Sequence, residues 1–262
     1  MRAIALVALL LPLSACDTRL TLQQVCESHP EMCQDVPLTG WCTKERSQVI
    51  WTRYEDQPND RRTIYNELIS LENYVGCMEK ATMIENRIIA KERETARIES
   101  YIASQKALKK LQQSTASSPS PYLSFYHWTR LNDHQALARF LESERKGELS
   151  SVQLKQFAAS YYSRINPEKA VAYLLDTLTT LPHPAIDTYL DLSNEYLTLN
   201  QPANAYLFAK MTAQFKPELV NAQRLRLLRA SSNVDKATLD AKAEVLLDKL
   251  EQGTFTANDL KL

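Results

Sequence analysis

The chain has 262 residues, with 31 Lys and Arg against 31 Asp and Glu, and only four glycines. Balanced charge leaves no electrostatic footprint for nucleic acid and little attraction to an anionic lipid surface. So few glycines argue against a phosphate-cradling loop and against turn-dense all-β classes, and no cofactor is expected.

Arg2 gives the chain a positive start, and residues 3–13 form an apolar run. A spanning helix needs about 20 apolar residues, so this shorter run reads as an export signal over residues 1–15. It closes on Leu13, Ser14, Ala15 and Cys16, which resemble the lipobox of bacterial lipoproteins. The resemblance implies a diacylglycerol on the Cys16 thiol, cleavage just before it and acylation of the new amino group. One acyl chain anchors a protein marginally, whereas two or three hold it firmly, so attachment would need no help from protein surface. Asp17 resembles the inner-membrane retention signal of enteric bacteria. That implies the periplasmic face of the inner membrane, with the outer membrane as the other possible destination.

Four further cysteines, Cys26, Cys33, Cys42 and Cys77, all lie in the first third of the chain. An even number in an exported chain reads as two disulfides with three possible connectivities. Cys26 with Cys33 and Cys42 with Cys77 is the favoured arrangement: the first closes a short loop around His29 and Pro30. The second closes a loop for which chain entropy gives about 3 to 4 kcal/mol. Zinc is the rival use of these thiols, but no C-x-x-C pair is present and His29 is the only nearby imidazole, so no metal is expected.

Residues 17–42 hold Pro30, Pro37 and Gly40 and read as an irregular, disulfide-pinned cap within a helical region spanning residues 16–113. Residues 43–55 predict a helix bearing Val49, Ile50 and Trp51. Asn59 or Asp60 then caps a helix with Ile64, Leu68, Leu71 and Val75, and Gly76 is expected to end it. Residues 78–113 read as one long or once-broken helix with an apolar stripe of Ile84, Ile88, Ile98, Ile102, Leu108 and Leu111. The last two helices therefore suggest a hairpin. Small polar residues and two prolines at 114–121 mark a linker.

Beyond the linker the chain repeats. Ala136, Ala170 and Ala205 recur at separations of 34 and 35. Twelve residues before each stands Ser124, Ala158 or Ser193, and seven after each stands Ser143, Thr177 or Thr212. Paired helices need small residues where their backbones approach closely, and this period resembles the tetratricopeptide repeat over residues 117–217. Leu123, Phe157 and Leu192 precede the first small position, while Phe140 and Leu174 face inward on the second helix. Pro182 and Pro217 sit at unit ends. No unit has the family's glycine at the first small position, and the second-helix starts, Asp133, Pro167 and Pro202, lack its tyrosine. Two more helices follow over residues 219–230 and 235–252, the last with Leu239, Val245, Leu246, Leu247 and Leu250 on its inner side. Repeats with this terminal cap span residues 122–252, and 253–262 form a tail. The expected fold is all-α: a helical hairpin followed by a tetratricopeptide-like α-solenoid, with the disulfide-pinned cap in front.

No catalytic constellation stands out. His29, His127, His134 and His183 lack ligand spacing, and there is no G-x-S-x-G. The chain is therefore not expected to be an enzyme. Under the tetratricopeptide resemblance, first-helix positions on the concave side include Phe125, Trp128, Lys155, Tyr162 and Asn194. Aromatic and cationic groups in a groove suit a protein or peptide partner. Burial of Phe125 and Trp128 against the preceding hairpin is the competing reading.

Cys16, the four later cysteines, residues 49–55 and the run at 224–228 also resemble a gammaproteobacterial lipoprotein family whose shared domain has no assigned function. The resemblance implies no activity. The expectation is a lipid-anchored, periplasm-facing scaffold or adaptor that binds a protein partner and no nucleic acid. A peptidoglycan-related envelope enzyme and a small-ligand-binding lipoprotein are the alternatives.

Overall fold

A computed structural model describes residues 20–54, 61–84, 91–180 and 186–261. Its described residues form twelve α-helices and two short 3-10 turns, with no strand, and divide into two compact units, Met1–Ala116 and Ser117–Leu262. No described helix is long and apolar enough to cross a membrane.

The N-terminal unit holds α1 (Leu22–Ser28), a 3-10 turn (Pro30–Met32), α2 (Thr43–Tyr54), α3 (Arg61–Thr82) and α4 (Lys91–Thr115). Thr21 starts α1 through a capping box: its hydroxyl accepts from Gln24 N, and Gln24 Oε1 accepts from Thr21 N. Both disulfides form as favoured, Cys26–Cys33 and Cys42–Cys77, with Cα separations of 5.6 and 6.0 Å. They pin α1 to the 3-10 turn and the start of α2 to α3. Val25, Val36, Val49, Ile50, Leu71, Tyr74 and Met78 form the core beneath them. Arg53 ties the pieces together, donating to Asp35 at 2.6 and 2.8 Å, to Glu67 at 2.7 Å and to the Met32 carbonyl at 2.7 Å.

Two details differ from expectation. Gly76 does not end α3, which continues through it to Thr82. A mid-helix glycine costs only about 1 kcal/mol, and Tyr74, Met78 and Ala81, all buried on one face, outweigh that. The seam of α4 is also displaced by one residue. Ile84, Ile98 and Ile102 are each 43 % exposed, and Ile88 lies outside the described residues. The buried face carries Arg97, Ser100, Ser104 and Thr115, with Leu108 and Leu111 completing it. Small hydroxyl residues let α4 approach α3 closely, and Tyr74 and Ser100 hydrogen-bond at 2.8 Å in the interior. Arg97 is buried under the Trp41 ring at 5.2 Å and donates to the Ala81 carbonyl at 3.0 Å.

The C-terminal unit is a series of antiparallel helix pairs: α5 (Pro121–Leu131) with α6 (His134–Arg145), α7 (Val152–Tyr162) with α8 (Pro167–Thr180), and α9 (Ile186–Thr198) with α10 (Pro202–Phe215). Two more helices, α11 (Ala222–Ser232) and α12 (Lys236–Glu251), follow, each packed on α10. All nine periodic small residues are buried, and Ala136, Ala170 and Ala205 have no exposed surface. Leu123, Phe140, Leu174 and Leu192 are buried with them.

Hydrogen bonds between residues about one repeat apart join successive pairs. Tyr122 meets Ser151 (2.6 Å), Gln156 donates to Thr188 (3.2 Å) and Arg224 donates to Asn194 (2.7 Å), linking the first helices α5, α7 and α9, and α9 to α11. Such nearest-neighbour stacking is the construction of an α-solenoid.

Turns between consecutive helices show another regularity. Asn132, Asn200 and Asn233 adopt left-handed backbone with φ of 55, 55 and 57°, a conformation asparagine tolerates better than most residues. Asn166 stands at the matching place before α8 and caps that helix by accepting from Lys169 N at 3.0 Å.

The C-terminal end also departs from expectation. Val245 is 48 % exposed rather than inward, while Ala243 fills the inner face. The tail packs against its own unit over residues 254–261. Gly253 turns the chain at φ 66°, Phe255 and Leu260 are buried in the core, and a second 3-10 turn (Ala257–Leu260) is held by Asp259, which accepts from Thr256 N and Lys249.

Candidate functional site

First helices of successive pairs lie side by side, so their outward residues form a common face. The five residues expected there do not converge on one site. Phe125 is core: it stacks on Phe157 with centroids 3.9 Å apart and packs against Phe140, out of a partner's reach. This burial lies within its own unit, where an aromatic side chain gains more from stacking than from exposure. Trp128 is half-buried, edge-on to Phe125 and Tyr161. Lys155 is occupied by Asp176 at 2.7 Å, its side chain 15 % exposed.

Tyr162 belongs to a closed polar network. Its hydroxyl donates to Glu144 at 2.8 Å and accepts from Lys169 Nζ at 2.8 Å, while Tyr173 also donates to Glu144 at 2.6 Å. Burial opposes ionisation of Glu144, but these hydrogen bonds, led by the one from Lys169, outweigh it and hold its carboxyl below the ordinary value. With every partner matched, the network braces α6, α7 and α8 rather than offering a reactive group. Asn194 is exposed and accepts from Arg224. Cys16, Asp17, Pro182 and His183 lie outside the described residues.

More informative is a cavity of about 300 Å³ between α7 and α9, lined by Gln156, Ser160, Ser163 and Arg164 from one side and Asp191 and Glu195 from the other. Glu195 is only 8 % exposed. Its Oε1 accepts from the Ser163 hydroxyl at 2.5 Å, and its Oε2 has no hydrogen-bond partner. Asp191 stands one turn earlier on α9, open to solvent on one edge and facing the cavity on the other. Loss of water, then the charges of Asp187 and Glu195, push its carboxyl above the ordinary value. Asp191 is thus held where a carboxylate is disfavoured unless a cation arrives.

A second, more apolar cavity of about 330 Å³ lies between α9 and α11, where Leu197 and Leu227 are 50 % and 62 % exposed beside Arg224.

Neither cavity follows from the periodic pattern. The small residues mark where helices touch; Asp191, Glu195, Leu197 and Leu227 each occur in one unit alone. The available signal was the spacing of Asp191 and Glu195, four residues apart on one helical face.

Elsewhere, Cys42 Sγ, Glu45 and Cys77 Sγ fall within 4.8 Å of one another, but the two sulfurs are joined as a disulfide. His127 is buried, and loss of water holds its imidazole below the ordinary value.

Comparison with protein families matches residues 13–210 to Protein of unknown function (DUF2989), and the chain belongs to that family. The matched span includes all five cysteines and residues 49–55 but stops short of the run at 224–228. Comparison with curated proteins and with solved structures returned no match.

Proposed function

From membership in a family without an assigned activity, we propose that this chain is a lipid-anchored scaffold of the bacterial cell envelope, a gammaproteobacterial lipoprotein with tetratricopeptide-like repeats. In this reading Cys16 carries the lipid, Asp17 retains the protein at the inner membrane, and the repeats face the periplasm. The two disulfides support an exported, oxidising location, since such bonds are rare in the cytosol.

The first-helix face would hold an extended segment of a protein partner. One observation carries this reading: α9 presents a polar cavity with an unmatched buried carboxylate towards α7 and an apolar cavity towards α11. Adjacent polar and apolar recesses along stacked helices suit a peptide, whose side chains alternate in chemistry.

Fractionation of cells with mass analysis of the N-terminus tests the address. Cys16→Ala should abolish acylation and leave an uncleaved chain, whereas an unchanged acylated product would refute lipidation at Cys16. Asp17→Ser should move the protein to the outer membrane.

A further inference from the structure

We propose that the cavity between α7 and α9 is a receptor for an arginine side chain, with Glu195 and Asp191 as its counter-charges. This rests on the reading of the first-helix face as a peptide-binding surface and names what that surface selects. Glu195 is more than nine-tenths buried, it lines the cavity, and its Oε2 is unmatched. A buried polar atom without a partner is costly, and a buried charge more so. The unfilled position therefore calls for a donor from outside.

The chemistry narrows that donor. Two carboxylates with the Ser160 hydroxyl and the Gln156 amide nearby make an acceptor-rich wall, favouring a cation with several donors. The guanidinium is planar, always charged and carries five N–H donors, enough to satisfy Glu195 Oε2 and Asp191 together. Calcium takes six to eight oxygens, and no group of three metal-ligating residues gathers at this place among the described residues. At about 300 Å³ the cavity lies at the small end of ligand sites, suited to one side chain. Arg164 lines the cavity too, but it is exposed and forms no ion pair with either acid. The Leu197 and Leu227 recess on the other side of α9 gives an aliphatic neighbour of that arginine a place to sit.

The test uses the full mature chain in detergent and follows the side-chain carboxyl NMR signals of Glu195 and Asp191. Arginine amide is titrated in parallel with citrulline amide, which keeps the shape without the charge, and with calcium chloride. The expected result is a saturable shift with arginine amide and at least tenfold weaker binding of citrulline amide. Glu195→Gln should weaken arginine amide at least tenfold while leaving the melting temperature unchanged or raised, since it removes an unmatched buried charge. Equal response to citrulline amide, preference for calcium, or no shift at saturating arginine amide would each overturn the proposal. So would a Glu195→Gln variant that loses stability and keeps its affinity. Crosslinking of a protein to this face without arginine preference would sink the arginine receptor alone, whereas absence of both would sink the scaffold reading too.

Discussion

The two units solve the problem of holding helices together by different means. In the N-terminal unit the apolar core is small, and order comes from two disulfides, the fork of Arg53 on Asp35 and Glu67, and the Tyr74–Ser100 pair. In the C-terminal unit order comes from repetition: small residues buried in each of the three helix pairs, with a large apolar cluster from Ala159 to Leu260. A chain can thus be pinned by a few specific links or by many interchangeable contacts. Only the second kind leaves a face free to vary, and that face is where Asp191 and Glu195 appear.

Breaking the links should expose the contrast most strongly. Cys42→Ser with Cys77→Ser should destabilise the N-terminal unit by about 3 to 4 kcal/mol, from a closed loop of 35 residues. Differential scanning calorimetry should then show an early transition for that unit and an unmoved one for the C-terminal unit. A single transition shifted as a whole would deny that the links act locally.

Next in size is Glu144. Replacing it by Ala removes the acceptor shared by Tyr162, Tyr173 and Lys169 and should cost the C-terminal unit about 1–3 kcal/mol. Its depressed carboxyl adds a pH signature. Such a group contributes stability that is full above its unfolded value, ordinarily 4.5, and is lost as pH falls through the lower folded value. The melting temperature of the C-terminal unit should therefore fall below about pH 4.5, and more shallowly in Glu144→Gln. An identical acid profile in that variant would contradict the assignment.

The smallest expected effect has the opposite sign. A Cβ at Gly76 would meet nothing within 4 Å, and its backbone is helical, so Gly76→Ala should stabilise the N-terminal unit by about 0.4 to 1 kcal/mol. Chemical denaturation at equilibrium reads this directly, and destabilisation would mean that α3 needs the glycine.

Legibility in the sequence followed the same division. Ala136, Ala170 and Ala205 revealed the helix pairs because steric closeness admits few residue types and recurs with the period. Asn132, Asn166, Asn200 and Asn233 recur just as regularly, and the left-handed backbone of three of them gives the reason, which only coordinates made visible. In α4 the helical period was readable but its phase was not. The seam is built from Arg97, Ser100 and Ser104, and the apolar Ile98 and Ile102 stand half-exposed beside it. Phe125 shows the reverse error: an aromatic residue suited to binding is held by the stacked ring of Phe157, a contact spanning two helix pairs. Asp191 and Glu195 were hidden because an acid on a helix ordinarily faces water. Only tertiary packing reveals that Glu195 does not.

Site-specific photo-crosslinking in intact cells tests the scaffold reading most directly, with the crosslinker placed in turn at Ser160, Leu227 and Val245. Ser160 lines the α7–α9 cavity and Leu227 the α9–α11 cavity, while Val245 is exposed on α12. The same partner captured from Ser160 and Leu227, with none from Val245, is the predicted result. Equal capture from all three positions, or capture from Val245 alone, would contradict it.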